Sequence, residues 1–176
     1  EVIEKGSTGF LGIKSKPAII KARKKNDTVD NIREFLENVF SAMDMEVTID
    51  IKKAEDDKVY EVELSGKEMG LLIGKRGQTL DSLQYLTNLA VNKHSDGYIK
   101  VKLDTEDYRQ RRKDTLENLA KNIAYKVKRT KRPVSLEPMN PFERRVIHSA
   151  LQGDRYVETH SEGEEPFRHV VVTLKK

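Results

Sequence analysis

Cysteine is absent from the 176 residues, which excludes disulfides and thiolate metal sites and permits, without requiring, a reducing compartment. No apolar run approaches the ~18 residues that a membrane span needs. No basic start followed by an apolar stretch marks a signal peptide. The four histidines, His94, His148, His160 and His169, show no paired ligand spacing, so no metal site is expected. No nucleophile lies in a pattern with a base, and neither catalysis nor a cofactor has a candidate. Internal repeats and low-complexity tracts are lacking too. The chain opens on Glu1 rather than Met, so a preceding segment is expected.

What is present is charge. Charged residues make up 35% of the chain and apolar residues 36%, a balance that implies one or two thin domains with much solvated surface. The net charge of +4 is unevenly spread. Residues 1–26 carry net +5, 27–103 net −5, 104–132 net +5 and 133–176 net −1. Concentrated cations are how a protein places phosphate contacts while staying soluble, although lysine-rich helices can also simply be solvated.

Residues 1–25 combine glycine turns with β character over Pro17–Arg23, a strand with no evident partner in the chain. Lys24–Asp27 reads as a linker, with Asp27 or Thr28 as a helix cap. Apolar residues at 29, 32, 35, 36, 39, 40 and 43 then predict a helix. Val47, Ile49 and Ile51 alternate as in a half-buried strand, and Val59–Leu64 returns after a turn at Asp56-Asp57. A short helix over 67–73 leads into Gly74-Lys75-Arg76-Gly77. A second helix over 78–93 turns Leu80, Leu83, Leu86, Leu89 and Ala90 inward, and a strand over 98–103 closes the unit. The longest helical pattern, 105–131, stops at Pro133. A short strand at 134–136 follows. Asn140-Pro141-Phe142-Glu143 then carries the cap, first-turn proline and third-position glutamate of a helix start, and Gly153 ends that helix. Strands are expected at 156–159 and 168–174, separated by a polar loop.

Two glycines in a turn mean little alone. Here they join two amphipathic helices, where a missing Cβ lets backbone approach a sugar-phosphate chain and helix N–H groups favour an anion. Lys75 and Arg76 add two cations inside a segment that is otherwise acidic. A P-loop is excluded, because Gly70 and Gly74 have three residues between them instead of four and Lys75 is followed by Arg76.

The order α-β-β-α-α-β around Ile73-Gly74-Lys75-Arg76-Gly77 resembles a type II K-homology (KH) domain. Such domains clamp about four nucleotides of single-stranded RNA. The resemblance implies a groove between the loop-flanking helices and a sheet edge, with Leu72, Ile73, Leu80 and Leu83 lining or supporting it. Ordinary core packing would ask for the same four side chains.

On helix 140–152, Phe142, Val146, Ile147, Ala150 and Leu151 share one face and Arg144, Arg145, His148 and Gln152 the opposite one. Arg144 and His148 stand one turn apart and can meet one ligand. With the preceding long helix and the following strands, this pattern resembles the R-three-H (Arg-x-x-x-His) domain, which binds single-stranded nucleic acid.

The two domains in this order, preceded by Lys5-Gly6-Ser7-Thr8-Gly9-Phe10-Leu11-Gly12-Ile13-Lys14-Ser15-Lys16-Pro17-Ala18, resemble the bacterial Jag (SpoIIIJ-associated) family over essentially the whole chain. Lys14 stands where the pattern leads one to expect a glycine. The resulting expectation is an α+β protein with three parts: a partial Jag module over 1–25, a type II KH domain over 26–104 and a small α/β R-three-H domain over 105–176. The resemblance implies a cytoplasmic protein that binds single-stranded RNA and is linked to cell-envelope growth. It also implies partnership with a small single-KH-domain protein and with the membrane insertase. Oligomeric state stays open, a homodimer included.

Two other classes compete. A protein-interaction module with a vestigial RNA site would suit an acidic residue in the loop, which Lys75 and Arg76 argue against. An RNA-processing enzyme lacks any acid, base or metal constellation. An RNA-recognition motif needs clustered aromatics for stacking, and aromatics are only 6% of this chain.

Overall fold

The computed structural model describes residues 27–93, 95 and 97–175, together with two short N-terminal strands, β1 (Val2–Glu4) and β2 (Ile19–Ile20). These two pair antiparallel. The strand expected within Pro17–Arg23 therefore has a partner in the chain after all. Three residues, Val2 to Glu4, are too few for alternation to announce it. The turn around Lys14 and the linker at 24–26 lie outside the described residues.

Asp27 caps α1 (Thr28–Ala42) by accepting from the Thr28 N–H at 2.6 Å, and Ile32, Leu36 and Phe40 face inward. β3 (Val47–Lys53) and β4 (Val59–Gly66) form an antiparallel hairpin. Then come α2 (Met69–Ile73), a single 3-10 turn at Lys75–Gly77 and α3 (Gln78–Asn92). β5 (Lys100–Asp104) lies parallel to β4, giving sheet order β3-β4-β5. This is the expected α-β-β-α-α-β order.

α3 departs from expectation. Leu80, Leu83, Thr87 and Val91 are buried, yet Leu86 and Leu89 are about half exposed beside an exposed Tyr85. The strip that faces β5 is polar instead. Asn88 bonds both main-chain groups of Val101 (2.8 and 2.9 Å), and Asn92 both of Ile99 (2.7 Å each). Gln84 accepts from the Leu103 N–H at 3.0 Å, and Arg109 Nε donates to the Leu103 carbonyl at 3.0 Å. An edge strand needs partners for these groups. Meeting that need with amides at 84, 88 and 92 turns the next leucines outward.

α4 (Tyr108–Thr130) serves both halves of the chain. Tyr108 in its first turn packs on the core of Leu36, Leu64, Leu72, Leu80 and Leu103. From Leu116 onward it joins Ile147, Val157 and Val172 in a second core. β6 (Val134–Ser135), α5 (Pro141–Leu151), β7 (Val157–Glu162) and β8 (His169–Leu174) complete that half, with sheet order β6-β8-β7. β7 runs three residues past the expected Thr159, because its ladder with β8 continues to Glu162 opposite His169. The α5 capping box is formed as read: Asn140 accepts from the Glu143 N–H, and Glu143 reaches back to the Asn140 N–H.

Candidate nucleic-acid interface

The 74–77 loop owes its shape to two glycines. Gly74 has φ +66°, and a Cβ there would lie 2.0 Å from Thr79 Oγ1. Gly77 has φ +78°, and its Cβ would lie 2.7 Å from the Tyr108 ring. Both conformations suit glycine, and both positions are closed to any side chain. Among the described residues no side chain caps α3; the Gln78 N–H donates to the Lys75 carbonyl, and the remaining first-turn N–H groups have no side-chain acceptor.

The two loop cations have different surroundings. Lys75 is exposed and, among the described residues, its side chain makes no ion pair or hydrogen bond. Arg76 adopts φ +57° and turns toward the second half, where its guanidinium meets the Glu137 carboxylate and donates to the Pro138 carbonyl. Leu72, Leu80 and Leu83 are 1%, 0% and 6% exposed, so they support the loop from inside the core. Ile73 is half-buried beside the loop. The outer edge of β5, implied as one wall of a groove, is occupied by the α3 amides and Arg109.

α5 also differs from its sequence reading. Arg144, expected on the solvent face, is buried: Nη1 donates to the Met139 carbonyl at 2.7 Å and Nη2 pairs with Glu165 at 2.6 Å. Glu143 is buried against Arg112, with Nη2–Oε1 at 2.6 Å. Phe142, expected inward, is 60% exposed. Two ionic partners claim the inward positions at the start of the helix and displace the ring. Arg145 is exposed and unpaired among the described residues.

His148 is half-buried, with Nδ1 2.7 Å from Thr159 Oγ1 and Nε2 2.9 Å from Ser161 Oγ. Burial, then the positive charge of Arg144 and the neighbouring His160, hold its pKa below the usual histidine value. A histidine whose folded pKa is depressed takes up protons more readily when unfolded. Its stabilising contribution is complete above about pH 6.5 and is lost as pH falls from there toward the folded pKa. The melting temperature is therefore expected to drop over that window, and to drop less in His148→Gln. Equal acid sensitivity in both proteins would dissociate the effect from His148.

A cleft of about 1370 Å³ separates the outer face of the first sheet from the starts of α4 and α5, with Arg76, Gly77 and Phe142 on its walls. Several of its cations are already paired: Lys102 with Glu61 (3.0 Å), Arg109 with Asp81 (2.8 Å) and Arg112 with Glu143. Asp50, Glu63 and Asp104 line the same walls, so cations and carboxylates are interleaved there. Among the described residues no cluster of His, Asp and Glu could hold a metal, and no helix is long and apolar enough to cross a membrane.

Sequence reasoning missed three groups at this site: Tyr108 beneath Gly77, Glu137 on Arg76, and the amides of Gln84, Asn88 and Asn92. Only the amides left a signal, their spacing of four along one helix face.

Family models match at three places: the KhpA/KhpB KH domain over residues 29–103, the R-three-H domain over 114–174 and the Jag N-terminus over 1–24. The chain thus joins a KH domain to an R-three-H domain behind a Jag-type N-terminal segment. RNA-binding protein KhpB of Clostridium symbiosum is 67% identical over 176 residues, covering 100% of this chain and 79% of the relative. The Bacillus subtilis protein of the same name is 40% identical over 178 residues, 99% of this chain and 85% of its own length. The chain belongs to the KhpB family. A more distant member from Streptococcus pneumoniae is 29% identical over 142 residues, 80% of this chain and 42% of the relative.

Proposed function

We propose that this chain binds single-stranded RNA, with the 74–77 loop as a phosphate clamp. The observation that carries this is Lys75: an exposed cation, unpaired among the described residues, on a loop that two left-handed glycines set against the uncapped start of α3. The names of the relatives point the same way. Gly74 and Gly77 shape the clamp, Ile73 flanks it, and Leu72 and Leu80 hold it from below. Of Arg144, Arg145 and His148 in the C-terminal half, Arg145 is the one free to meet a phosphate, while Arg144 and His148 build the surface around it. The working units are those proposed from sequence, 26–104 and 105–176, with 1–25 as the remainder of a Jag module. RNA as ligand supports a cytoplasmic setting. Post-transcriptional control tied to envelope growth, with a single-KH protein and the membrane insertase as partners, is the role that the family resemblance supports.

A second reading, a protein-interaction module, draws on the exposed apolar group Tyr85, Leu86 and Leu89, where another KH unit or a second copy could sit. Lys75→Asp separates the two. It should weaken single-stranded RNA about tenfold or more, alike across sequences, because phosphate contacts carry no base information. The salt slope should become shallower by about 0.7. Melting should be unchanged, since an exposed loop side chain buries little. A variant that melts normally and binds RNA as tightly as the wild type would hand the function to the second reading.

A further inference from the structure

Glu137 and Pro138 sit between β6 and α5, with Pro138 62 residues along the chain from the Arg76 it touches. Their segment is not a loose tail. The Leu136 N–H donates to the Val170 carbonyl at 2.8 Å, the Met139 N–H to the Arg168 carbonyl at 3.2 Å, and buried Arg144 holds the Met139 carbonyl from within. Both sides of the Arg76 contact are therefore anchored, one to each half. Arg76 keeps only 26% of its side chain exposed, whereas Glu137 keeps 77%.

We propose that Glu137 and the Pro138 carbonyl form a latch that withholds Arg76 from RNA, so that a phosphate reaching the loop must displace a carboxylate of the same chain. Carboxylate and phosphate are interchangeable partners for a guanidinium, since both offer oxygens to its planar fork. The clamp at rest thus has one cation ready, Lys75, and one in reserve, Arg76. This rests on the reading of the loop as a phosphate clamp. The exposure of Glu137 keeps the latch weak, because a solvated carboxylate binds its partner only modestly. Displacement by RNA is then feasible, at the expense of part of the affinity.

The test uses the full chain and a single-stranded RNA six-mer, with binding followed by fluorescence anisotropy. Glu137→Gln removes the charge, keeps the shape and should bind about two- to fivefold tighter with unchanged melting. In an Arg76→Ala background that gain should vanish, because no guanidinium is left to release. A gain that persists undiminished with Arg76→Ala would show general charge repulsion and overturn the latch. Unchanged affinity in Glu137→Gln, with Lys75→Asp still weakening binding, would overturn the latch and leave the clamp standing. No effect of Lys75→Asp in either background would overturn the clamp and the latch with it.

Discussion

Gly77→Ala is expected to destabilise the protein by roughly 2–4 kcal/mol, the sum of a left-handed backbone penalty and an overpacked contact. The methyl group would land 2.7 Å from a Tyr108 ring carbon. The ring has little room to retreat, because it packs on the KH core and its hydroxyl is buried without a partner among the described residues. Urea denaturation measures the loss. In a Tyr108→Leu background the contact portion should disappear, leaving about 1–2 kcal/mol for the backbone alone. Gly70, one helix earlier, has nothing within 4 Å of its would-be Cβ. Gly70→Ala should be neutral or stabilise by up to about 1 kcal/mol. An unchanged denaturation midpoint in Gly77→Ala would mean that the loop is not seated on α4.

Glu143→Ala should cost about 3 kcal/mol, drawn from a broken buried ion pair and the lost return bond of the capping box. The Glu143 side chain is 4% exposed and meets Arg112, itself 25% exposed, through Nε at 2.8 Å and Nη2 at 2.6 Å. The same carboxylate reaches the Asn140 N–H at 3.3 Å. Removing it strands a guanidinium where water has little access and takes away the half of the capping box that satisfies the Asn140 N–H, while Asn140 still caps the Glu143 N–H. Glu143→Gln retains a cap acceptor but not the charge, so its loss should be smaller. Because the pair is buried, salt should change these differences little. A thermal or urea measurement giving Glu143→Ala less than about 1 kcal/mol of destabilisation would contradict a structural role for the pair.

What could be read from the sequence was local. The apolar periods of α1, β3 and β4, the Gly74–Gly77 loop and the Asn140–Glu143 cap each lie within a few residues, and each is found where its pattern puts it. What escaped depends on groups that meet only after folding. Nothing near Arg76 signals Glu137, and nothing near Phe142 signals that Arg112 and Glu165 will draw Glu143 and Arg144 inward. Leu86 and Leu89 misled because leucine at helical spacing normally marks the core. In α3, hydrogen bonding to β5 outranks that preference. Lys75 and Arg76 look equivalent in the chain; their difference is a property of the two halves together.

In hydrogen-bond terms, α3 is the fourth strand of the KH sheet. Ile99, Val101 and Leu103 each have both outward main-chain groups taken by side chains, from Asn92, Asn88 and the pair Gln84 and Arg109. A peptide seeking to extend the sheet at β5 would have to strip away all six bonds before making its own. A base reading that strand by its main chain faces the same competition. Aggregation through this edge is closed by the same means, to which the exposed Lys100 and Lys102 on the strand add charge. Asn88→Leu would reopen it at its midpoint, Val101, and turn a sealed rim into an adhesive one.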